Sequence, residues 1–299
     1  MSATTRIGDA GGAALAASAQ RLNRLRAFDL VGLLVTLGTL FLAVVWAFPL
    51  YWALVTTFKP ESEVVQAGLH LWPEHFTLEN YGHVLFDTKI GIWYVNSLVT
   101  AGATTVIVVI MSAGAGYAIS QLNFPGRRLF WWTILASFMV PFQALIVNQF
   151  VLMAQAHLVN TLAAVVAPQL IAPVAVIIYK QFFDSVPRDF REAAVIDGAG
   201  EFQLFFRVYL PMNWGVTTAL AIIIFIGAWN NFLWPFLAVT EQEKMNVTVG
   251  ITQVFDAFGV KYARELATAM LAALPVAAIY LIFQRRVTQA IMLTAGIKG

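Results

Sequence analysis

Long apolar runs separated by polar intervals set the plan of this chain. Six stretches, roughly 29–56, 93–120, 129–154, 161–182, 215–239 and 266–284, are apolar over about the 20 residues that a helix needs to cross a bilayer. They predict six spanning helices and no sheet, because a membrane-spanning chain must satisfy its backbone groups within itself. A turn at 121–128 is short, whereas 57–92, 183–214 and 240–265 are long and polar. Residues 1–28 are rich in Ala, Gly and Ser without an apolar run long enough for a signal sequence, and read as a tail. The domain plan is tail 1–28, transmembrane domain 29–286 and a second tail 287–299. Pro141, Pro168, Pro173, Pro235 and Pro275 fall inside spans and remove backbone hydrogen bonds there, which predicts kinked helices. Ser97, Ala101 and Thr105, then Ser112, Gly116 and Ser120, recur every four residues and predict close helix packing.

Lys and Arg orient the spans. Arg6, Arg21, Arg24 and Arg26 lie in the first tail, Arg127 and Arg128 in the short turn, Lys180, Arg188, Arg191 and Arg207 around 183–214, and Arg285, Arg286 and Lys298 at the end. Only Lys59, Lys89, Lys244, Lys261 and Arg264 fall on the other side. Both termini and the 183–214 loop are therefore expected in the cytoplasm, with 57–92 and 240–265 outside. Composition agrees with the class: 60% of residues are hydrophobic, 11% are charged and the mean hydropathy is +0.75, more apolar surface than a soluble domain can bury.

Uncharged polar residues inside the spans are the next signal. Gln143, Asn148 and Gln149 in the third span, Gln169 in the fourth, and Asn230 and Asn231 in the fifth would be costly against lipid, so they are expected to face protein or a water-filled cavity. Amides offer donors and an acceptor to a hydroxyl-rich solute. Trp229 and Trp234 flank the asparagine pair and could stack on a sugar face. As a group these eight residues form a candidate path for a neutral polar solute; bonding between helices is the alternative role for each.

The densest run of charge and glycine is Glu192-Ala193-Ala194-Val195-Ile196-Asp197-Gly198-Ala199-Gly200. Pro187 suits a first helical position, Asp189 and Glu192 suit the positive end of the dipole, and Gly198 can supply a left-handed terminating residue. Phe202, Phe205, Phe206, Tyr209 and Leu210 then repeat at helical spacing until Pro211. Helix, glycine turn and second helix are expected between two spans, although a solvated loop is an equal reading of the residues alone.

At Glu192-Ala193-Ala194, Asp197-Gly198-Ala199 and Leu210-Pro211 the chain resembles the EAA loop of the membrane subunits of ATP-binding-cassette importers. One departure is Gly215, where relatives often carry proline. The resemblance implies the type I importer transmembrane fold and makes this loop a cytoplasmic coupling helix docked in an ATPase subunit, with Glu192, Ala193, Ala194, Asp197 and Gly198 as coupling residues. Phe58 to Tyr81, with Trp72-Pro73 and Glu79-Asn80-Tyr81, resembles the first outer loop of the sugar-importer branch. Trp229-Asn230-Asn231-Phe232-Leu233-Trp234-Pro235, Gln284-Arg285-Arg286 and Leu293 to Gly299 resemble the second, smaller permease of maltose-type carbohydrate importers. That likeness implies a homologous sister permease, two ATPase subunits holding Mg-ATP, a soluble substrate-binding protein on the outer side, and a bacterial inner membrane. It also makes Arg286 and the residues after it a second candidate ATPase contact, with an ordinary tail as the equal alternative, and 240–265 a segment that can reach the binding protein or pack as a lid.

No Walker-type phosphate loop appears, so ATP hydrolysis is expected from a partner. The chain has no cysteine, its four histidines show no metal-binding spacing, and no nucleophile has a plausible base beside it. No catalytic or metal residue, no cofactor in this chain and no nucleic-acid partner is expected. Competing readings are an ion-coupled secondary transporter, disfavoured by the scarcity of charge within spans, and a non-transporting membrane sugar receptor or scaffold.

Overall fold

A computed structural model of the chain describes residues 30–66, 68, 70–254 and 260–294, with side chains described over 31–284. The tail 1–28 thus lies outside the described residues, whereas 287–294 continue the last helix and only 295–299 lie outside. Every long element among those described is a helix. The chain divides into two compact units, residues 1–55 and 56–299. The first contains nearly all of α1 (Leu30–Thr56), a 27-residue helix whose apolar side chains are exposed over most of its length. Thr36 and Thr39 turn their hydroxyls back to the carbonyls of Gly32 and Val35, which satisfies them without water.

The second unit is built from α2 (Glu79–Phe86), α3 (Ile90–Gln121), α4 (Arg127–Phe138), α5 (Phe142–Gln155), α6 (Leu162–Val166), α7 (Pro173–Asp184), α8 (Arg188–Ile196), α9 (Trp214–Trp229) and α10 (Tyr262–Thr294). Its axis is α3, which packs along α7 and α9, while α10 packs on α9 and α2. Gly116 sets the closest approach: a Cβ there would lie 2.7 Å from Tyr179 Cβ and 3.0 Å from Lys180 N. The four-residue repeat of small side chains is therefore a packing seam, as its spacing predicts.

Three helices are long and apolar enough to cross a membrane alone: Val31–Thr56, Ile90–Gln121 and Tyr262–Gln284. Three bent pairs bring the total to six: Arg127–Phe138 with Phe142–Gln155 at 102°, Leu162–Leu170 with Pro173–Asp184 at 48°, and Glu201–Met212 with Trp214–Trp229 at 81°. The prolines explain the first two breaks. Pro141 takes an extended backbone in front of α5, and Pro173 opens α7 after a 3-10 turn at Ala167–Leu170. Continuous, kinked helices over 129–154 and 161–182 are thus replaced by broken ones. The predicted fifth span is also interrupted, because α9 stops at Trp229 and helix resumes only at Leu233–Ala238. Pro275, by contrast, lies within an unbroken α10.

The long polar segments 57–92 and 240–265 are tied to this frame where they are described. In 57–92, buried Lys59 and Glu63 pair at 3.9 Å, and the Glu63 carboxylate accepts backbone N–H groups of Glu74 and His75. Phe76 stacks on Phe58 at 5.1 Å, whereas Trp72 is 72% exposed. The residues after 240 lie on α3: Trp93 donates to Gln242 O, Asn96 to Glu243 O and Met245 O, and Ser97 Oγ accepts from Val247 N. Residues 242–247 are thus pinned against α3.

Candidate functional site

The backbone of α8 is shaped by its two ends. Pro187 is the residue before the helix, extended at φ −57° and ψ 137°, so the helix opens one residue later than the proline suggests. At the other end Gly198 sits at φ +83°. Its N–H donates to Val195 O at 3.0 Å and the Ala199 N–H to Ala194 O at 2.9 Å. That pair of bonds is the Schellman termination, which needs a left-handed residue at the Gly198 position. The following run is helical as expected but contains a π turn, Phe205–Tyr209, in which Leu210 N–H donates to Phe205 O. Pro211 has no N–H to give its own turn, and the helix ends just after it at Met212.

A polar network ties α8 to the spans. Arg191 Nη2 meets Glu201 Oε1 at 2.5 Å and Nη1 meets Oε2 at 3.2 Å, a two-pronged pair. Tyr117, near the end of α3, donates its hydroxyl to Glu201 Oε2 at 2.6 Å and accepts from Arg191 Nη1 at 3.2 Å. The Glu201 carboxylate beside it raises the Arg191 pKa above its ordinary value, outweighing partial burial. Beneath the network lies an aromatic box: Tyr117 meets Phe205 at 5.3 Å and Tyr209 edge-on at 5.2 Å, and Phe183 meets Tyr209 at 5.8 Å. Tyr209 in turn donates to Gln121 Oε1 at 2.7 Å. Loop, α3 and α7 are therefore packed together through this box. None of Tyr117, Arg191 and Glu201 stood out in the sequence as a site residue. The available signal was Tyr117, a hydroxyl within an apolar span one turn from its end.

Above the box the outward side of the helix is open. Glu192, Ala193, Asp197 and Gly198 are exposed, and Ala194 turns partly inward against the aromatic box. Glu192 makes no hydrogen bond or ion pair among the described residues. Phe190, Val195 and Ile196 are exposed by 51%, 51% and 85%. A short helix, rather than an irregular loop, thus presents a carboxylate beside exposed apolar side chains. Arg286 lies on α10, and its side chain falls outside the described residues.

The eight polar and aromatic residues proposed for a path differ in exposure and partners. Trp229 and Trp234 are 1% and 0% exposed, with indole N–H groups bonded to Ala272 O at 3.3 Å and Ala164 O at 2.8 Å. Neither ring has a face open for stacking in this conformation, because each fills the core between helices. Asn231 Nδ2 donates to Gln169 Oε1 at 3.0 Å, and Gln169 Nε2 donates to Val165 O at 2.8 Å. The amides therefore join two of the helix breaks, the 3-10 turn before Pro173 and the gap between α9 and Leu233–Ala238. Gln143, Asn148 and Asn230 are exposed on this chain, and Gln149 is partly buried with an Oε1 that accepts no hydrogen bond among the described residues.

Comparison with known proteins follows the same outline. A profile of the family described as "Binding-protein-dependent transport system inner membrane component" matches residues 107–291, more than half of the chain. The chain is 32% identical over 246 residues to the diacetylchitobiose uptake system permease protein NgcG of Streptomyces coelicolor, covering 80% of each. It is 30% identical over 275 residues to the arabinooligosaccharides transport system permease protein AraQ of Bacillus subtilis, covering 91% of this chain and 98% of the relative. It is also 30% identical over 246 residues to the sn-glycerol-3-phosphate transport system permease protein UgpE of Yersinia pestis, covering 80% and 88%. Among solved structures, a chain of a bacterial ABC transporter involved in import of the acidic polysaccharide alginate shares the fold, with a TM-score of 0.78 at 21% identity, covering 87% of this chain and 97% of that one.

Proposed function

The chain belongs to the binding-protein-dependent transport system inner membrane component family, and from that premise we propose that it is a permease subunit of an ATP-driven importer for a sugar or sugar derivative. Its pathway would be formed with a homologous sister permease and driven by two ATPase subunits that hold Mg-ATP; the family's binding-protein-dependent description supports a soluble binding protein that feeds it. Diacetylchitobiose, arabinooligosaccharides and glycerol 3-phosphate are named for the relatives, and they support the polyhydroxylated class without choosing within it. The distribution of Lys and Arg supports cytoplasmic termini and a cytoplasmic α8.

The observation that carries the coupling role is α8 itself: an exposed, glycine-terminated helix with an unpaired Glu192, braced to α3 through Arg191, Glu201 and Tyr117. Closure of the ATPase dimer would push on Glu192, Ala193, Ala194, Asp197 and Gly198, and the brace would pass that displacement to α3 and α7. Arg286 remains a second proposed contact. At the far end the Gln169–Asn231 bond is placed to hold two helix breaks together, and Gln143, Asn148, Gln149, Asn230, Trp229 and Trp234 would line or support the gate around them.

The test is ATP hydrolysis by the reconstituted complex of this chain, its sister permease, the ATPase and the binding protein across a panel of sugars and sugar derivatives. Strong stimulation by one class, abolished by Glu192→Lys while the subunit stays inserted, is the expected outcome. Full stimulation in Glu192→Lys and Gly198→Asp would remove α8 from the coupling role, and failure of any ATPase to assemble with the chain would remove the importer assignment.

A further inference from the structure

Against α8, between that helix and the turn joining α3 to α4, lies a hollow of about 780 Å³ whose wall includes Glu192, Val195 and Ile196 from the helix's exposed face. Three guanidinium groups line it: Arg127, Arg188 and Arg191. Only Arg191 has a carboxylate partner, Glu201. Arg127 spends its donors on neutral acceptors, Ser120 O and Leu122 O at 3.1 Å and Asn123 Oδ1 at 3.2 Å, so its charge is oriented but not neutralised. Arg188 has neither hydrogen bond nor ion pair among the described residues. Glu192 is the one carboxylate on the wall, and Asp184 nearby is already met by Lys180 and Ser120. The hollow therefore carries a surplus of positive charge, fixed on one side by a rigid turn.

Its level in the molecule is marked by its neighbours. Directly after Arg127 and Arg128 come Leu129, Phe130 and Trp132, exposed by 73%, 46% and 57%, and the Trp131 ring lies 4.9 Å from Lys180 Nζ. Exposed tryptophan and aliphatic side chains directly beside arginines are the pattern of a membrane–water boundary, where hydrocarbon gives way to headgroups. A concave, cationic site at that boundary meets the phosphate of an anionic lipid at its own depth. The guanidinium fork matches phosphate oxygens, and the volume leaves room for the glycerol beyond them.

We propose that this hollow binds the phosphate-bearing headgroup of an anionic phospholipid, with Arg127 and Arg188 as the recognising residues. Such a lipid would lie against the side of α8 and against the α3–α4 turn at once, so its occupancy would bias the position of the helix.

The experiment uses the purified full chain in neutral detergent, titrated with phosphatidylglycerol, phosphatidylcholine or inorganic phosphate and read by native mass spectrometry. Phosphatidylglycerol should bind in preference to phosphatidylcholine, and inorganic phosphate should displace it only weakly. Arg188→Gln should weaken phosphatidylglycerol binding about fivefold, the usual contribution of one basic side chain near an anionic surface. Arg188→Lys should restore most of it, and Lys261→Gln, distant in sequence, should leave it alone. Arg188 bears none of the hollow's internal bonds, so its variants are expected to fold; Arg127→Gln, which also frees two carbonyls, is the secondary variant. Unchanged phosphatidylglycerol binding in Arg188→Gln overturns the proposal. So does displacement by inorganic phosphate at equal concentration, which would make the site one for a soluble anion. Loss of ATPase recovery by Arg188→Gln with lipid binding intact would assign the hollow to subunit docking instead. Because the titration needs no partner subunit, its failure is distinct from failure of the importer assignment.

Discussion

Replacement of Gly116 by alanine tests the close seam between α3 and α7. The added Cβ would lie 2.7 Å from Tyr179 Cβ, 3.0 Å from Lys180 N and 3.3 Å from Tyr179 C, where ordinary contact begins at 3.4 Å. These are backbone and Cβ atoms, so no rotamer change clears them, and the helices must separate by roughly 0.7 Å along the seam. Overpacking of this rigid kind costs about 1–3 kcal/mol, and here the upper end applies. Against it stands the gain from removing a helical glycine, about 0.5–1 kcal/mol. Gly114, two residues away in the same helix, has nothing within 4 Å of its would-be Cβ, so Gly114→Ala collects the gain without the clash. The two variants should therefore differ by about 3 kcal/mol, a gap of about 6–12 °C in melting temperature at about 2–4 °C per kcal/mol. Size-exclusion chromatography of the heated, detergent-purified chain measures it. Equal melting of Gly116→Ala and Gly114→Ala would refute the close approach and the seam on which the aromatic box rests.

Other expectations follow from single contacts. Gly198→Val should cost about 1–2 kcal/mol through its left-handed backbone and reduce uptake, whereas Gly198→Asn should cost less, since the space around the position is open. Arg191 and Glu201 side chains are 26% and 46% exposed, so Glu201→Gln should change thermal stability by no more than about 1 kcal/mol. It should nonetheless depress substrate-stimulated ATP hydrolysis, and the exchange Arg191→Glu with Glu201→Arg should recover part of it; equal activity in all three would show that the pair transmits nothing. Burial pushes the Glu63 carboxyl upward, but hydrogen bonds from Glu74 and His75 and the Lys59 charge more than offset it and hold the pKa below 4.5. Its contribution to the 57–92 segment is therefore complete above about pH 4.5 and is lost as pH falls through the depressed value. Limited proteolysis of that segment should increase over that acid range in the wild type, and Glu63→Gln should be cleaved faster at neutral pH with little further change on acidification.

What the linear chain discloses, and what it withholds, can be traced to the range of the forces involved. Six apolar stretches are legible because transfer into a bilayer depends on composition over a window of about 20 residues. The turn at Gly198 is legible because a left-handed residue is a local demand that one residue type meets cheaply. Proline is different: Pro141 breaks its span by 102°, while Pro275 sits within a continuous helix. The missing hydrogen bond is identical at both positions, and only the surrounding packing decides whether the freed carbonyl is tolerated or the chain turns. Pairings are the least legible of all, since nothing near Glu201 in sequence announces Tyr117, 84 positions earlier, and nothing near Asn231 announces Gln169, 62 positions earlier. The tryptophans make the same point from the opposite direction. Flanking an asparagine pair, Trp229 and Trp234 have the residue types of a sugar platform, yet each indole is enclosed, its N–H bonded to a carbonyl on a neighbouring element. A buried indole must find an acceptor or pay the desolvation of its N–H, and a helix that ends at Trp229 and restarts at Leu233 places both rings where such acceptors lie. The asparagines between them are left as the polar groups of the break, which is why a change in the Gln169–Asn231 bond, rather than in either ring, is where movement of the proposed gate should begin.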